Sequence, residues 1–180
     1  ATARASAEDI YAIKMAGKDI YMVKNGELQP WQRLDSPYVY QHIHTLAHKA
    51  RHSSENLRIL NETASRLWGL QCDITRRELE QEIEQLLIAN HISRNTSVEV
   101  TLKLYSTADY TLEVGESSIY SGYVVRSLRP EASLIATSAP LADYPTSAMV
   151  ATRALIKEMA AARDLHHLIM ATPDGKIIAD

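Results

Sequence analysis

One stretch of the sequence changes its hydrophobic period, and that change decides the fold class. Residues 75–90 carry Leu79, Ile83, Leu86 and Leu87 at helical spacing. Thr75 and Glu78 match a capping box, in which each side chain satisfies an orphan backbone N–H of the first turn. From residue 98 the period is two: Val98, Val100, Leu102 and Leu104 alternate with Glu99, Thr101, Lys103 and Tyr105. That pattern is a strand with one buried face. A chain that must bury both a helical stripe and an alternating face needs a mixed architecture, so the spacing predicts an α+β fold.

The flanking segments extend this reading. Residues 10–24 predict a hairpin, IYAIKMA and DIYMVK around Gly17-Lys18. Asn25-Gly26 gives a second turn before Gln29-Pro30 ends the run. Residues 38–52 predict a helix started by Ser36-Pro37, with Val39, Ile43, Leu46, Ala47 and Ala50 on one face and His44, His48 and His52 on the other. Residues 55–68 repeat a helical pattern through Leu57, Leu60, Ala64 and Leu67, and Gly69 is the stop. Further strands are expected at 110–114, 118–128 and 133–138. Pro140 and Pro145 bracket a linker, then come a helix over 147–163, a strand over 166–172, the turn Asp174-Gly175 and the apolar run Lys176-Ile-Ile178. The expected units are 1–139 and 140–180. The second, ending on a strand, is expected to need strands from residues outside this sequence or from another chain.

Composition narrows the classes. The 180 residues suit one large domain or two small ones, and 46% hydrophobic with 23% charged residues is ordinary for a globular protein. A net charge of −3 gives no electrostatic case for nucleic acid or for an anionic membrane. No apolar run approaches the roughly 18 residues of a membrane span, and the opening ATARASAEDIYAIK lacks the apolar core of a secretory signal. Cys72 is the one cysteine, so no internal disulfide forms, and a reducing, cytoplasmic setting is the expectation. Its surroundings in sequence carry no nucleophile signature, which makes it a small buried residue.

Several clusters invite a chemical reading and are outweighed by a plainer one. His44 and His48, four apart, could share a metal on a helix, but no glutamate follows His44 and Lys49 and Arg51 oppose a dication; a solvated helix face is expected. His166-His167 at a helix end suits the helix dipole. Glu78, Glu80, Glu82 and Glu84, spaced by two, do not share one helix face. Arg126 and Arg129 on a strand could hold an anion but are more commonly solvated. The six glycines form neither a Walker loop nor a dinucleotide fingerprint.

Three segments carry a family resemblance. Asn56-Leu-Arg-Ile-Leu-Asn-Glu-Thr-Ala-Ser-Arg-Leu67 follows, in its apolar and small positions, the helix pattern H-L-x-R-L-x-x-S-A-x-x-L. Tyr21-Met-Val-Lys-Asn-Gly26 matches a first strand and N-G turn, and Ala148 to Ile178 a helix, strand and D-G hairpin. Together they resemble the fold-type IV pyridoxal-phosphate enzymes, the branched-chain and D-amino-acid aminotransferases and aminodeoxychorismate lyase. The resemblance implies a two-domain fold, a pyridoxal phosphate (PLP) cofactor, a homodimer, a phosphate-gripping arginine in the helix pattern and a Schiff-base lysine before the second-domain helix. It sets Ile59 at the arginine and Asn56 at the histidine, with Arg58 adjacent and Arg66 farther along. Counting back from Asp174-Gly175, it sets the lysine at or beside Thr146, where Pro145, Thr146, Ser147 and Ala148 supply no amine.

No lysine stands between Lys103 and Lys157, so a shift of alignment within the linker does not restore one. Lys157 lies well inside the helix, and of the residues past Gly175 only Asp180, not Ala179, could stand in for the family's ring-facing glutamate. A Schiff base needs an amine that bonds to the cofactor aldehyde and then moves a proton, which a hydroxyl does not replace. The expectation is a diverged, non-transaminating relative that binds a small amine or carboxylate through Thr146, Ser147 and Arg126. The competing expectations are an active PLP-dependent aminotransferase or lyase using Lys103, with Arg58 or Arg66 on the phosphate, and a homodimeric interaction module.

Overall fold

The computed structural model describes residues 20–117, 135–136, 144–164, 168, 170–171, 174 and 177–179. Most of the expected 10–24 hairpin, the 118–128 strand, Arg126, Arg129, His166, His167, Gly175 and Asp180 lie outside these residues.

The chain builds a strand hairpin, β1 (Tyr21–Lys24) and β2 (Glu27–Pro30), then a long strand β3 (Tyr38–Leu46) and a short return β4 (Lys49–Ala50). Helices α1 (Ser53–Trp68) and α2 (Arg76–Ala89) follow, then β5 (Val98–Tyr105) and β6 (Tyr110–Ser117). These six strands form one antiparallel sheet in the order β2-β1-β6-β5-β3-β4. A second sheet holds β7 (Ile135–Ala136), parallel to β8 (Met170–Ala171), which pairs antiparallel with β9 (Ile177–Ala179); α3 (Ser147–Ala162) precedes β8. Strands, helices, then strands again are the α+β class the sequence predicts.

Local chemistry accounts for these elements. Asn25 and Gly26 both take positive φ, 49° and 84°, the paired left-handed geometry of a two-residue hairpin turn. Asn25 fixes the turn further by accepting from Tyr110 N at 2.9 Å and donating to Asp109 Oδ1 at 2.7 Å. Helix α1 stops at Gly69, whose φ of 67° lets its N–H reach Ser65 O. Helix α2 begins on the predicted capping box: Thr75 Oγ1 accepts from Glu78 N, and the Glu78 carboxylate accepts from Thr75 N at 2.8 Å.

Residues 38–46 correct the sequence reading, for they are a strand and not the first part of a helix. Residues four apart share a face in both geometries, so Val39 and Ile43 did not discriminate between them. The β-branched and aromatic run Tyr38-Val-Tyr-Gln-His-Ile-His-Thr45 favours the pleated alternative. Burial follows period two along Val39, Ile43 and Thr45, while Leu46 and Ala47, assigned to the helix's inner face, are exposed. Ala47 and His48, at φ 52° and 64°, turn the chain back into β4. His44 thus stands exposed on a strand, while buried His48 bonds Ile92 O through Nε2 at 2.7 Å, so the two are not a metal pair.

Helices α1 and α2 cover one face of the sheet. Leu60, Ala64, Leu79, Ile83, Leu86 and Leu87 pack on Val23, Val39, Ile43, Val98, Val100, Leu102, Leu104 and Leu112. Leu102, central in this layer and fully buried, anchors it. Leu102→Ala should lower the unfolding free energy by about 2–5 kcal/mol, the range for truncating a large buried aliphatic side chain, as measured by urea denaturation.

Beneath α2, Glu82 accepts from the Tyr110 hydroxyl at 2.9 Å. Burial pushes its carboxyl above the usual range, against the Tyr110 bond, and the charge of Glu78 adds to the rise. A carboxyl raised in the folded state weakens folding as pH climbs from the ordinary glutamate range through the raised value. Glu82→Gln should flatten that part of the stability–pH curve, read as midpoint denaturant concentration against pH.

Candidate functional site

The sheet's other face is built from the residues that alternate with the core. In the ladder Lys103 stands between Tyr40 on β3 and Thr111 on β6, and Thr101 stands between His42 and Glu113. Residues directly opposite share a face, so Tyr38, Tyr40, Lys103, Tyr105, Thr111 and Glu113 form one polar surface turned away from α1 and α2. This surface is not open: Tyr40, Tyr105, Thr111 and Glu113 are all buried.

At its centre Lys103 Nζ donates to both oxygens of Glu113, each at 2.9 Å. The two side chains are 19% and 10% exposed, so the pair is largely withdrawn from water. Glu113 also accepts from Trp31 Nε1 at 3.3 Å and from Thr111 Oγ1 at 3.3 Å. The ammonium lies 4.9 Å from the centre of the Tyr38 ring, within reach of its π face. Tyr38 in turn meets Tyr105 edge-on at 5.3 Å. Burial pushes the Tyr105 hydroxyl up to about 12 and raises Tyr38, so both are neutral phenols at physiological pH.

Helix α3 docks on the exposed edge of β3. Tyr40 N donates to Pro145 O at 2.9 Å, Tyr38 N donates to Ser147 Oγ at 3.2 Å, and Thr146 bridges to Val39. Arg153, one and a half turns into the helix, donates from Nη1 to the Tyr40 hydroxyl at 2.7 Å. The predicted residues therefore divide. Ser147 is committed to holding β3. Thr146 is 4% exposed at the helix N-cap, and its Oγ1 has no hydrogen-bond partner. Opposite Val39, its side chain shares Val39's side of the strand, whereas Lys103, opposite Tyr40, is on the other side. The structure does not bring the Thr146 position and Lys103 together.

The helix-pattern residues also separate from this surface. Arg58 is exposed and bound to Glu55 and Glu62 along α1, which raises its pKa further. Arg66 and Arg58 border an open depression of about 430 Å³ with Asn61, Glu62, Ser65 and Gln71, on the flank of α1 away from Leu60 and Ala64. Asn56 donates to His52 O at 3.1 Å. Trp31, Tyr38, Tyr40, Glu113 and Arg153 were not singled out from sequence, because their pairing depends on ladder register and on helix docking.

This architecture recurs among solved structures. A branched-chain aminotransferase from the archaeon Thermoproteus uzoniensis, crystallised with norvaline, superposes with a TM-score of 0.63 at 13% identity over 89% of this chain and 62% of its own. The branched-chain amino acid aminotransferase from Escherichia coli gives 0.65 at 14% identity over 89% and 60%. A putative 4-amino-4-deoxychorismate lyase from Legionella pneumophila gives 0.60 at 13% identity over 83% and 59%. The chain has the fold of the fold-type IV enzymes. It spans about 60% of the length of these structures. No protein-family model and no curated protein matches the sequence.

At the position the resemblance assigns to the lysine, the described residues offer no amine for covalent attachment of PLP. The buried polar atom there is the Thr146 hydroxyl, and Pro145 and Ser147 add no amine. Lys103, at the centre of the polar face, is tied at both oxygens of Glu113. Removing one partner of a buried pair strands the other charge. Lys103→Met or Glu113→Leu alone should therefore cost about 3–5 kcal/mol of stability, whereas the double variant should recover most of it in the same denaturation assay.

Proposed function

We propose that this chain is a diverged fold-type IV protein that binds a small carboxylate- or amine-bearing ligand non-covalently and does not transaminate. The observation that carries this reading is the Lys103–Glu113 pair: the lysine at the centre of the sheet's polar face is committed to a carboxylate, and the segment before α3 offers hydroxyls. Polar groups suited to such a ligand lie close by. Arg153, exposed and oriented by the Tyr40 hydroxyl, keeps guanidinium donors for a carboxylate. Thr146 Oγ1, buried and unpartnered at the helix start, is a further hydrogen-bonding group, on Val39's side of β3 and apart from Lys103. Arg126, expected to share this role, lies outside the described residues.

The competing reading, an active PLP-dependent aminotransferase or lyase, draws support from the solved neighbours and from the position of Lys103 on the polar face. Absorption spectra separate the two. Titrating the purified chain with PLP should give no stable aldimine band, and borohydride treatment should leave no pyridoxyl adduct by mass spectrometry. A band that disappears in Lys103→Ala, in a variant shown to be folded by circular dichroism, would establish the enzyme reading instead.

A further inference from the structure

Farther along the same sheet face, past Lys103, lies a second group of side chains that the ligand reading does not use. His42 and His44 are alternate residues of β3, so both rings leave the strand on the side of Tyr40, with Cα atoms about 6.6 Å apart. Glu99 stands opposite His44 in the ladder, and Thr101 opposite His42. His42 Nδ1 lies 2.8 Å from Glu99 Oε1 and 3.1 Å from Thr101 Oγ1.

We propose that His42, His44 and Glu99 form a site for one divalent transition-metal ion of the zinc class. Two imidazoles and a carboxylate, with a fourth position left open, are a donor set that suits zinc and discriminates against magnesium and calcium. Metal–ligand bonds of about 2.0–2.2 Å at a tetrahedral angle set neighbouring donors about 3.3 Å apart. The His42–Glu99 contact of 2.8 Å thus opens by about half an ångström to admit the ion. Among the described residues no group of three such side chains is already placed to hold a metal ion. The third donor comes from rotation of the His44 ring, which is exposed and adjacent to Glu99 across the ladder.

The charges around the site run both ways. Arg51, whose N–H bonds His44 O at 2.8 Å, flanks His44 on the other edge of β3 and opposes a cation. Glu99 favours it. Calorimetric titration of the full chain with Zn²⁺ should show one ion bound. His42→Ala, His44→Ala and Glu99→Gln should each weaken binding at least about tenfold, Arg51→Ala should tighten it, and Mg²⁺ should not compete. Co²⁺ in place of Zn²⁺ should give the intense visible bands of four-coordinate geometry. Circular dichroism of each variant confirms that loss of binding is not loss of fold. Zn²⁺ binding that His44→Ala or Glu99→Gln leaves unchanged, no binding by the unaltered chain, or equal competition by Mg²⁺ would overturn the proposal.

Discussion

The two faces of strand β5 are made of opposite materials. Toward α1 and α2 it presents Val98, Val100, Leu102 and Leu104, which need only be buried. Away from them it presents Glu99, Thr101, Lys103 and Tyr105, which when buried must also be paired. The Lys103–Glu113 contact is how β5 and β6 meet that second requirement. Glu113 is supplied at the diagonal position of the ladder, and Trp31 and Thr111 supply further donors to it. A buried ion pair of this kind is weak evidence for stability, since apolar residues of similar volume often do as well. Its retention is better explained by what the polar face holds in register, an aromatic and cationic surface beneath the start of α3.

The docking of α3 follows from the same strand alternation. β3 has two edges; one pairs with β5 from Tyr38 to His44, and the other pairs with β4 only at Thr45 and Leu46. The amides of Tyr38 and Tyr40 would otherwise form an open edge, which proteins generally cover. Ser147 and Pro145 accept those two N–H groups, so the helix begins where the edge needs acceptors. The hydroxyl of Ser147 is consumed in that role and the N-cap is left to Thr146, whose side chain turns to Val39 and finds no donor or acceptor. A buried hydroxyl without a partner costs free energy, and nothing in the packing of Val39 requires one there.

How much of this could be read from the sequence depended on whether a feature is local. The capping box at Thr75, the stop at Gly69, the Asn25-Gly26 turn and the alternation of β5 are each contained within a few residues, and each was legible. β3 was not, because an i, i+4 pair of apolar residues fits both a helix and a strand, and Ser36-Pro37 imitated a helix start. Lys103 was singled out as a lysine on a strand near the expected domain junction, not by the groups that pair with it. Its partner needed the register of the β5–β6 hairpin. Closing that hairpin through residues 106–109 puts Thr111 opposite Lys103 and Glu113 one pleat along, so this pairing was within reach of the sequence. Arg153 and Tyr40 were not, since 113 residues separate them and only helix docking joins them.

The sheet also separates what fixes the fold from what lines its polar face. The apolar face, with α1 and α2 on it, fixes the backbone, and side chains on the opposite face change without disturbing that core. Helix α3 docks through the Pro145 carbonyl and Ser147, so the side chain at Thr146 takes no part in holding it to β3. On α1, Leu60 and Ala64 are fully buried while Ile59 is only partly so. Neither Thr146 nor Ile59 touches the alternation of β5 or the caps of α2. What the face then does is set by which polar groups the ladder brings side by side: a lysine bound to a glutamate at the centre, and farther along two histidines beside a second glutamate. These neighbours are fixed by strand register, so a new function on this face can arise from single substitutions in strands whose pairing is already determined.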